Sequence, residues 1–252
     1  MDQFGYALRR SEGAAAVPLL TARMQGLNED DRSALRELPI LHRFVGRNRQ
    51  IMRAGEHVSH LKLLCKGWAM RSVQLDAERR QILDFALPGD SVGMHVDGAQ
   101  VSTCDVIAVT ACEVAEFELR EVEQVAARRP AFGKGLRHSL TQQLAQANDQ
   151  VLRLGRMTAY ERLCSFLLDI YQRQRMSGTE MVDFPITQTV VADALGLSVV
   201  HVNRQVMQLR REGLVTLNRR QLAVHDVERL AQVCNYRDWH FDPTEQSLEA
   251  AE

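Results

Sequence analysis

The chain has 252 residues, a formal charge of −1 and 45% apolar residues, the profile of an ordinary globular protein with room for two domains. No apolar run approaches the roughly 20 residues that span a bilayer, and the five cysteines fall singly, without a Cys-x-x-Cys pair. These features argue against a membrane span, a disulfide framework and a thiolate-bound metal, and predict free thiols in a reducing cytoplasm.

In chain order, residues 1–20 read as a loose tail. Their apolar patch "AAAVPLL" holds a proline and no clear cleavage site, so no secretion signal is read there. "LNEDDRSALRELPI" predicts a short helix, with Asn28 as N-cap, acids in the first turn and Pro39 after the end. From Phe44 to Phe117 short apolar pieces alternate with turn signals at Ala54-Gly55, Gly67, Pro88-Gly89-Asp90 and Asp97-Gly98, which predicts a β-sandwich or barrel.

From about Pro130 to Leu154 the spacing predicts one long helix. Phe132, Leu136, Leu140, Leu144, Ala147, Val151 and Leu154 recur at intervals of three and four, a narrow apolar seam. Two readings stay open: a seam between paired helices, or a face packed on the chain's own barrel. Gly155 is a candidate hinge, and Leu163, Phe166, Leu167 and Ile170 form the core face of the next helix.

The most informative stretch is "PITQTVVADALGLSVVHVNRQVMQLRREGLVT". Thr187 can cap a first helix, with the small Ala192 where two helices approach closely. Gly196 can supply the turn and Ser198 can cap a second helix. In that second helix Val202, Val206 and Leu209 form an anchoring side. Val200, His201, Arg204 and Gln208 lie on another, with Asn203 beside them. Such a helix can enter the major groove. Arg204 suits guanine bidentately, Asn203 or Gln208 suits adenine, and Val199 or Val200 suits a thymine methyl. "VTLNRRQLAVHD" then predicts a hairpin whose tip carries Arg219 and Arg220, placed for phosphates rather than bases. Two helices joined by a glycine are common in all-α proteins; the caps, the exposed Asn203-Arg204 pair and the basic hairpin together favour double-stranded DNA. From Pro185 to Val224 five arginines face one aspartate and one glutamate, so the near-zero net charge hides a local positive excess.

On these residues, above all "LGLSVVHVNRQVMQLRREGLV", "LPGDSVG" and "TACEVAEF", the chain resembles the bacterial regulators typified by the cAMP receptor protein and the fumarate–nitrate regulator. The resemblance runs from about residue 27 to 234. It implies an α+β chain with a β-roll sensor of cyclic-nucleotide-binding type over 21–125 and a dimerisation helix and hinge over 126–155. A winged helix-turn-helix over 156–235 and an acidic tail over 236–252 complete it. It also implies a homodimer on a roughly palindromic operator, acting through RNA polymerase.

The resemblance also defines departures. Relatives present a glutamate four residues before the recognition arginine; Arg204 matches the arginine, but Val200 stands at the glutamate position. Cyclic-nucleotide binders have Gly-Glu after the Pro-Gly-Asp turn and an arginine that clamps the phosphate. Here Gly93 is followed by Met94, the arginine position falls on Ser102 beside Thr103, and no arginine lies between Arg80 and Arg120. Ala147 and Asn148 align where hydroxyls meet the adenine. A buried phosphate needs a guanidinium or its equivalent, so cAMP binding in the usual manner is not expected. No cofactor is predicted. An N-terminal cysteine cluster of the iron–sulfur type is missing; His95 is a weak candidate for haem, and Cys65 and Cys104 for redox sensing. Two alternatives are a winged helix that binds protein and a cupin-type metal protein. The second lacks a His-x-His strand, since His57 and His60 are three apart. No enzyme activity is expected.

Overall fold

The computed structural model describes residues 7–12, 16–21, 27–77, 79–92, 101–175, 181–218 and 220–236. The chain divides into two compact units between Gln143 and Leu144.

The first unit holds β1 (Ala7–Glu12), α1 (Ala16–Thr21), α2 (Glu29–Arg36), β2 (Pro39–Val45), β3 (Gln50–Met52), β4 (His60–Lys66), β5 (Ala69–Gln74) and β6 (Arg80–Ala86). It continues through β7 (Asp105–Ala108), β8 (Cys112–Glu118), α3 (Leu119–Arg128) and the first half of α4 (Pro130–Arg156). Two four-stranded antiparallel sheets run β1-β2-β8-β4 and β3-β7-β5-β6. The first is apolar on both faces. Leu61, Leu63, Ala115 and Phe117 pack under the helices, while Leu64, Cys112 and Val114 point into a second core with Ile51, Ala69 and Val106. That double burial explains why apolar residues stand side by side at Leu63-Leu64 in β4 and Val114-Ala115 in β8, because alternate side chains leave opposite faces of a strand. Gly67 joins β4 to β5 at φ +85°, where an added Cβ would stand 2.3 Å from the Ala111 carbonyl oxygen.

Asn28 caps α2 as expected. Its side chain accepts from the Asp31 amide at 2.8 Å, and Asp31 accepts from the Asn28 amide at 3.2 Å. The loose tail expected for residues 1–20 is corrected. Residues 7–12 pair with β2 along six residues, and residues 16–21 form α1, whose Ala16, Val17 and Leu20 are buried in the core under the first sheet. An apolar segment that short gains more from packing than it loses in chain freedom once a sheet edge is nearby. The last strand ends at Glu118, one residue past the expected Phe117, and α3 follows before the long helix.

The long helix is α4, and its expected seam divides. Phe132 is fully buried in the first unit's core, so it cannot serve in a helix–helix seam, and this part of the expectation is corrected; Leu136 is partly buried against the same core. Covering a phenylalanine is worth roughly 1.5–3 kcal/mol, which this unit's own helices and sheet already take up. Leu140 is half-buried. Leu144 and Val151 stay 62% and 71% exposed, with Ala147 exposed between them.

The second unit contains the rest of α4, α5 (Ala159–Gln174), β9 (Met181–Asp183), α6 (Gln188–Leu195), α7 (Val199–Arg211), β10 (Val215–Asn218), β11 (Gln221–Val224) and α8 (Val227–Cys234). Its sheet runs β10-β11-β9. Thr158 opens α5 with a second capping box, closed by Glu161. Leu163, Phe166, Leu167 and Ile170 are buried as the periodicity predicts. Gly155, the expected hinge, stays helical within α4, and the break comes after Arg156. The acidic tail from residue 237 lies outside the described residues, as do Gly98 and the rest of 93–100.

Candidate nucleic-acid interface

Helices α6 and α7 meet at Gly196, which takes the left-handed conformation at φ 61°, ψ 38°. The Leu197 amide donates back to the Ala192 carbonyl at 3.1 Å, closing the turn. Thr187 and Ser198 cap the two helices: their hydroxyl oxygens accept from the amides of Val190 at 3.3 Å and His201 at 3.2 Å. Both caps are exposed, so each hydroxyl keeps its hydrogen for a phosphate at a helix N-terminus.

The last carbonyls of α6 are held from outside. Gln150 on α4 donates to the Ala194 carbonyl at 2.7 Å, and Arg162 on α5 donates to Leu195 at 3.1 Å. Buried Arg153 supports Gln150. It donates to Gln150 Oε1 at 2.7 Å and to Ser165 Oγ at 3.2 Å, and lies 5.9 Å from the Phe166 ring centre.

Helix α7 is anchored by Val202, Val206 and Leu209, all buried, with Gln205 beside them. Val199, Val200, His201, Asn203, Arg204 and Met207 are exposed. Val200, Asn203, Arg204 and Met207 form one stripe, spaced i, i+3, i+4, i+7. Met207 was not read from the sequence, although its place seven residues after Val200 would have found it. Gln208 is half-buried on the same side, and its amide nitrogen donates one hydrogen to Glu212 Oε1 at 2.9 Å, which leaves its second N–H and its carbonyl oxygen. Glu212 also accepts from the Tyr160 hydroxyl, and this bond holds its carboxyl below the usual carboxylate range.

The expected wing hairpin is present. β10 and β11 pair from Val215↔Val224 to Asn218↔Gln221, and β9 adds a third strand that the sequence did not announce. Arg220 sits exposed at the tip with φ 71°; Arg219 lies outside the described residues. Arg210 donates to the Leu217 carbonyl and so ties α7 to the wing. A capped, anchored helix with polar groups outward and a cationic hairpin beside it can insert in a groove and grip phosphates.

Residues 161–233 match a Crp-like helix-turn-helix domain, and residues 42–129 match a cyclic nucleotide-binding domain. The transcriptional activator protein FnrL of Cereibacter sphaeroides is 31% identical over 186 residues, 71% of this chain and 74% of that protein. The chain belongs to the Crp/Fnr family of transcriptional regulators. The nitrogen fixation regulation protein FixK of Bradyrhizobium diazoefficiens is 34% identical over 143 residues, 55% of this chain and 59% of FixK. The structure of FixK2 from Bradyrhizobium japonicum superposes with a TM-score of 0.70 at 25% identity, covering 76% of this chain and 96% of that one. The expected order of sensor sheet domain, long helix and helix-turn-helix is thus that of Crp-family structures, and the chain is a DNA-binding regulator of this type.

The sensing end of this Crp/Fnr regulator departs from its sequence reading. Gly93, Met94 and His95 lie outside the described residues. Ser102 is corrected as a ligand group: it is buried, and its hydroxyl donates to the Cys104 carbonyl at 2.7 Å. Its hydrogen is spent within its own loop. Thr103 is exposed, as are Ala147 and Asn148 on the second unit's part of α4. Arg71 on β5 was missed. It faces its cross-strand partner Asp84 on β6 and forms an ion pair with it. The same guanidinium donates to the Ser91 carbonyl at 2.6 Å and to Gln143 Oε1 at 3.4 Å, while Gln143 Nε2 donates to Ser91 Oγ at 2.8 Å. One side chain therefore ties β5, β6, the turn after Pro88-Gly89-Asp90 and α4. The signal available beforehand was an arginine in "WAMRSV" and an aspartate in "ILDF", each the one charged residue of its stretch.

Proposed function

We propose that this regulator acts as a homodimer on a two-fold operator, with α7 of each copy in successive major grooves and the wing on flanking phosphates. The observation that carries the reading is the two-sidedness of α7: Asn203 and Arg204 outward, Val202, Val206 and Leu209 inward. The partner helix is a second α4, packed through Leu144, Ala147 and Val151. Three apolar positions at this spacing, left largely open to water, suit a helix–helix seam. Output passes through RNA polymerase.

The effector is not cAMP bound in the usual manner. Arg71 is the guanidinium held beside Ser91, just ahead of residues 93–95, and Asp84 already neutralises it. A cyclic phosphate would have to displace a carboxylate to use it. The cysteines do not favour redox sensing, because all five are buried.

Gel retardation with genomic fragments across a salt series tests the core reading. Specific retardation that weakens steeply with salt supports it; no retardation at low salt would support a protein-binding winged helix instead. Leu144→Glu and Val151→Glu should convert the dimer to a monomer in sedimentation and weaken retardation together. Calorimetry that showed tight cAMP binding would overturn the effector reading.

A further inference from the structure

The recognition stripe carries two apolar side chains that the fold does not use. Val200 is 77% exposed and Met207 48% exposed, at opposite ends of the Asn203-Arg204 pair. The side of α7 that holds the domain together is Val202, Val206 and Leu209, so neither residue is needed for packing. Among the major-groove groups that tell base pairs apart, the C5-methyl of thymine is the apolar one; the others are hydrogen-bond donors or acceptors.

We infer that Val200 and Met207 each read a C5-methyl group, one on either side of the bases bonded by Asn203 and Arg204, so that the protein's affinity follows the methyl content of its operator. The inference rests on α7 being the recognition helix. Valine has no acceptor for a cytosine N4 amine, whereas a methyl against a methyl removes apolar surface from water on both sides. A rise of 1.5 Å per residue separates Val200 and Met207 by about 10 Å along α7, too far for both to meet one base pair. The two methyl groups should therefore lie on different base pairs of one half-site, with the guanine of Arg204 between them. Thymine and 5-methylcytosine present the same methyl at the same place, so either can satisfy the site.

The test uses full-length protein and the operator selected from a random DNA pool, with binding followed by fluorescence anisotropy at fixed salt. Each thymine is replaced in turn by uracil, which differs only by the methyl group. Two positions per half-site should each lose about three- to fivefold in affinity. Val200→Ala should abolish the uracil effect at one of them and Met207→Ala at the other; both side chains are exposed, so the fold is not at risk. With cytosine placed at either position, 5-methylation should restore affinity by a similar factor. Val200→Glu should move the selected base toward cytosine, whose N4 amine a carboxylate accepts. Specific binding that is indifferent to uracil at every thymine would overturn this inference while leaving α7 as the recognition helix. Absence of any sequence-specific binding would overturn both.

Discussion

Tyr160 on α5 donates its phenol hydrogen to Glu212, the residue that ends α7, at an oxygen–oxygen distance of 2.5 Å. Burial first and the Glu212 bond second raise the phenol's pKa, while the same bond lowers that of the carboxyl. Both directions describe a neutral phenol bonded to a charged carboxylate. Glu212 in turn holds Gln208, so the C-terminal turn of α7 is fixed to the body of its unit. Tyr160→Phe should cost about 1 kcal/mol in denaturant unfolding at neutral pH. A carboxylate whose folded pKa is depressed stabilises above its unfolded value and loses that contribution as pH falls through the folded one. The difference between wild type and Tyr160→Phe should therefore shrink at pH well below 4.5. A difference that stays constant into acid would contradict the charged-acceptor account.

Arg153 is the brace behind the first helix of the helix-turn-helix. It is buried, and its partners Gln150, Ser165 and Phe166 lead to the Ala194 carbonyl. Arg153→Ala should cost about 2–3 kcal/mol, since it removes hydrogen bonds from a charged donor and the packing of a long side chain. Gln150→Ala should cost about 1 kcal/mol and lower affinity for all DNA sequences alike. Chemical denaturation and salt-matched DNA titrations measure the two effects. Equal small losses for both variants would remove Arg153 from the role of brace.

The helix-turn-helix was legible because its signals are local. Caps at Thr187 and Ser198, a glycine forced into positive φ and a 3.6-residue apolar period are all set within a turn or two of chain. Periodicity tells which face is apolar but not what covers it, which is why Phe132 and Leu136 were grouped with Leu144 and Val151. Partners distant in sequence were not legible. Arg71 meets Asp84 through strand register, Gln208 is captured by a carboxylate that Tyr160 holds from 52 residues away, and the Ser102 hydroxyl turns inward. The same holds for α1, whose six residues gain their helix from the core beneath them.

The Arg71–Asp84 pair gives a third prediction. Arg71 is 14% and Asp84 22% exposed at the side chain, so removing either charge strands the other in a mostly dry site. Arg71→Met alone and Asp84→Leu alone should each cost about 3 kcal/mol, and the double variant much less than the sum, because a buried pair replaced by apolar groups is often close to neutral. Thermal or denaturant unfolding of the cycle measures it. Strict additivity would show that the two side chains act independently.

The cysteines give a fourth. Burial pushes the thiols of Cys65, Cys112 and Cys234 up to about 11 and raises Cys104 and Cys164 as well. At neutral pH the native protein should resist iodoacetamide at all five, while the unfolded chain should react at all five, as read by mass spectrometry. A thiol whose folded pKa is raised stabilises the protein while protonated. Folding stability should therefore fall as pH climbs from 9.0, where unfolded thiols ionise, toward 11. Rapid native labelling at any of the five would contradict the burial account.

The most direct test of the central claim compares operators selected from a random DNA pool by wild type, Arg204→Ala and Arg220→Ala. Arg204 stands on the exposed stripe of α7 and Arg220 at the tip of the wing. Arg204→Ala should erase the preference at one base pair per half-site, a loss of about 1–3 kcal/mol of discrimination. Arg220→Ala should keep the wild-type consensus, bind every sequence more weakly and lower the salt dependence by about one phosphate contact. An unchanged consensus from Arg204→Ala would contradict the assignment of α7 as the helix that reads DNA.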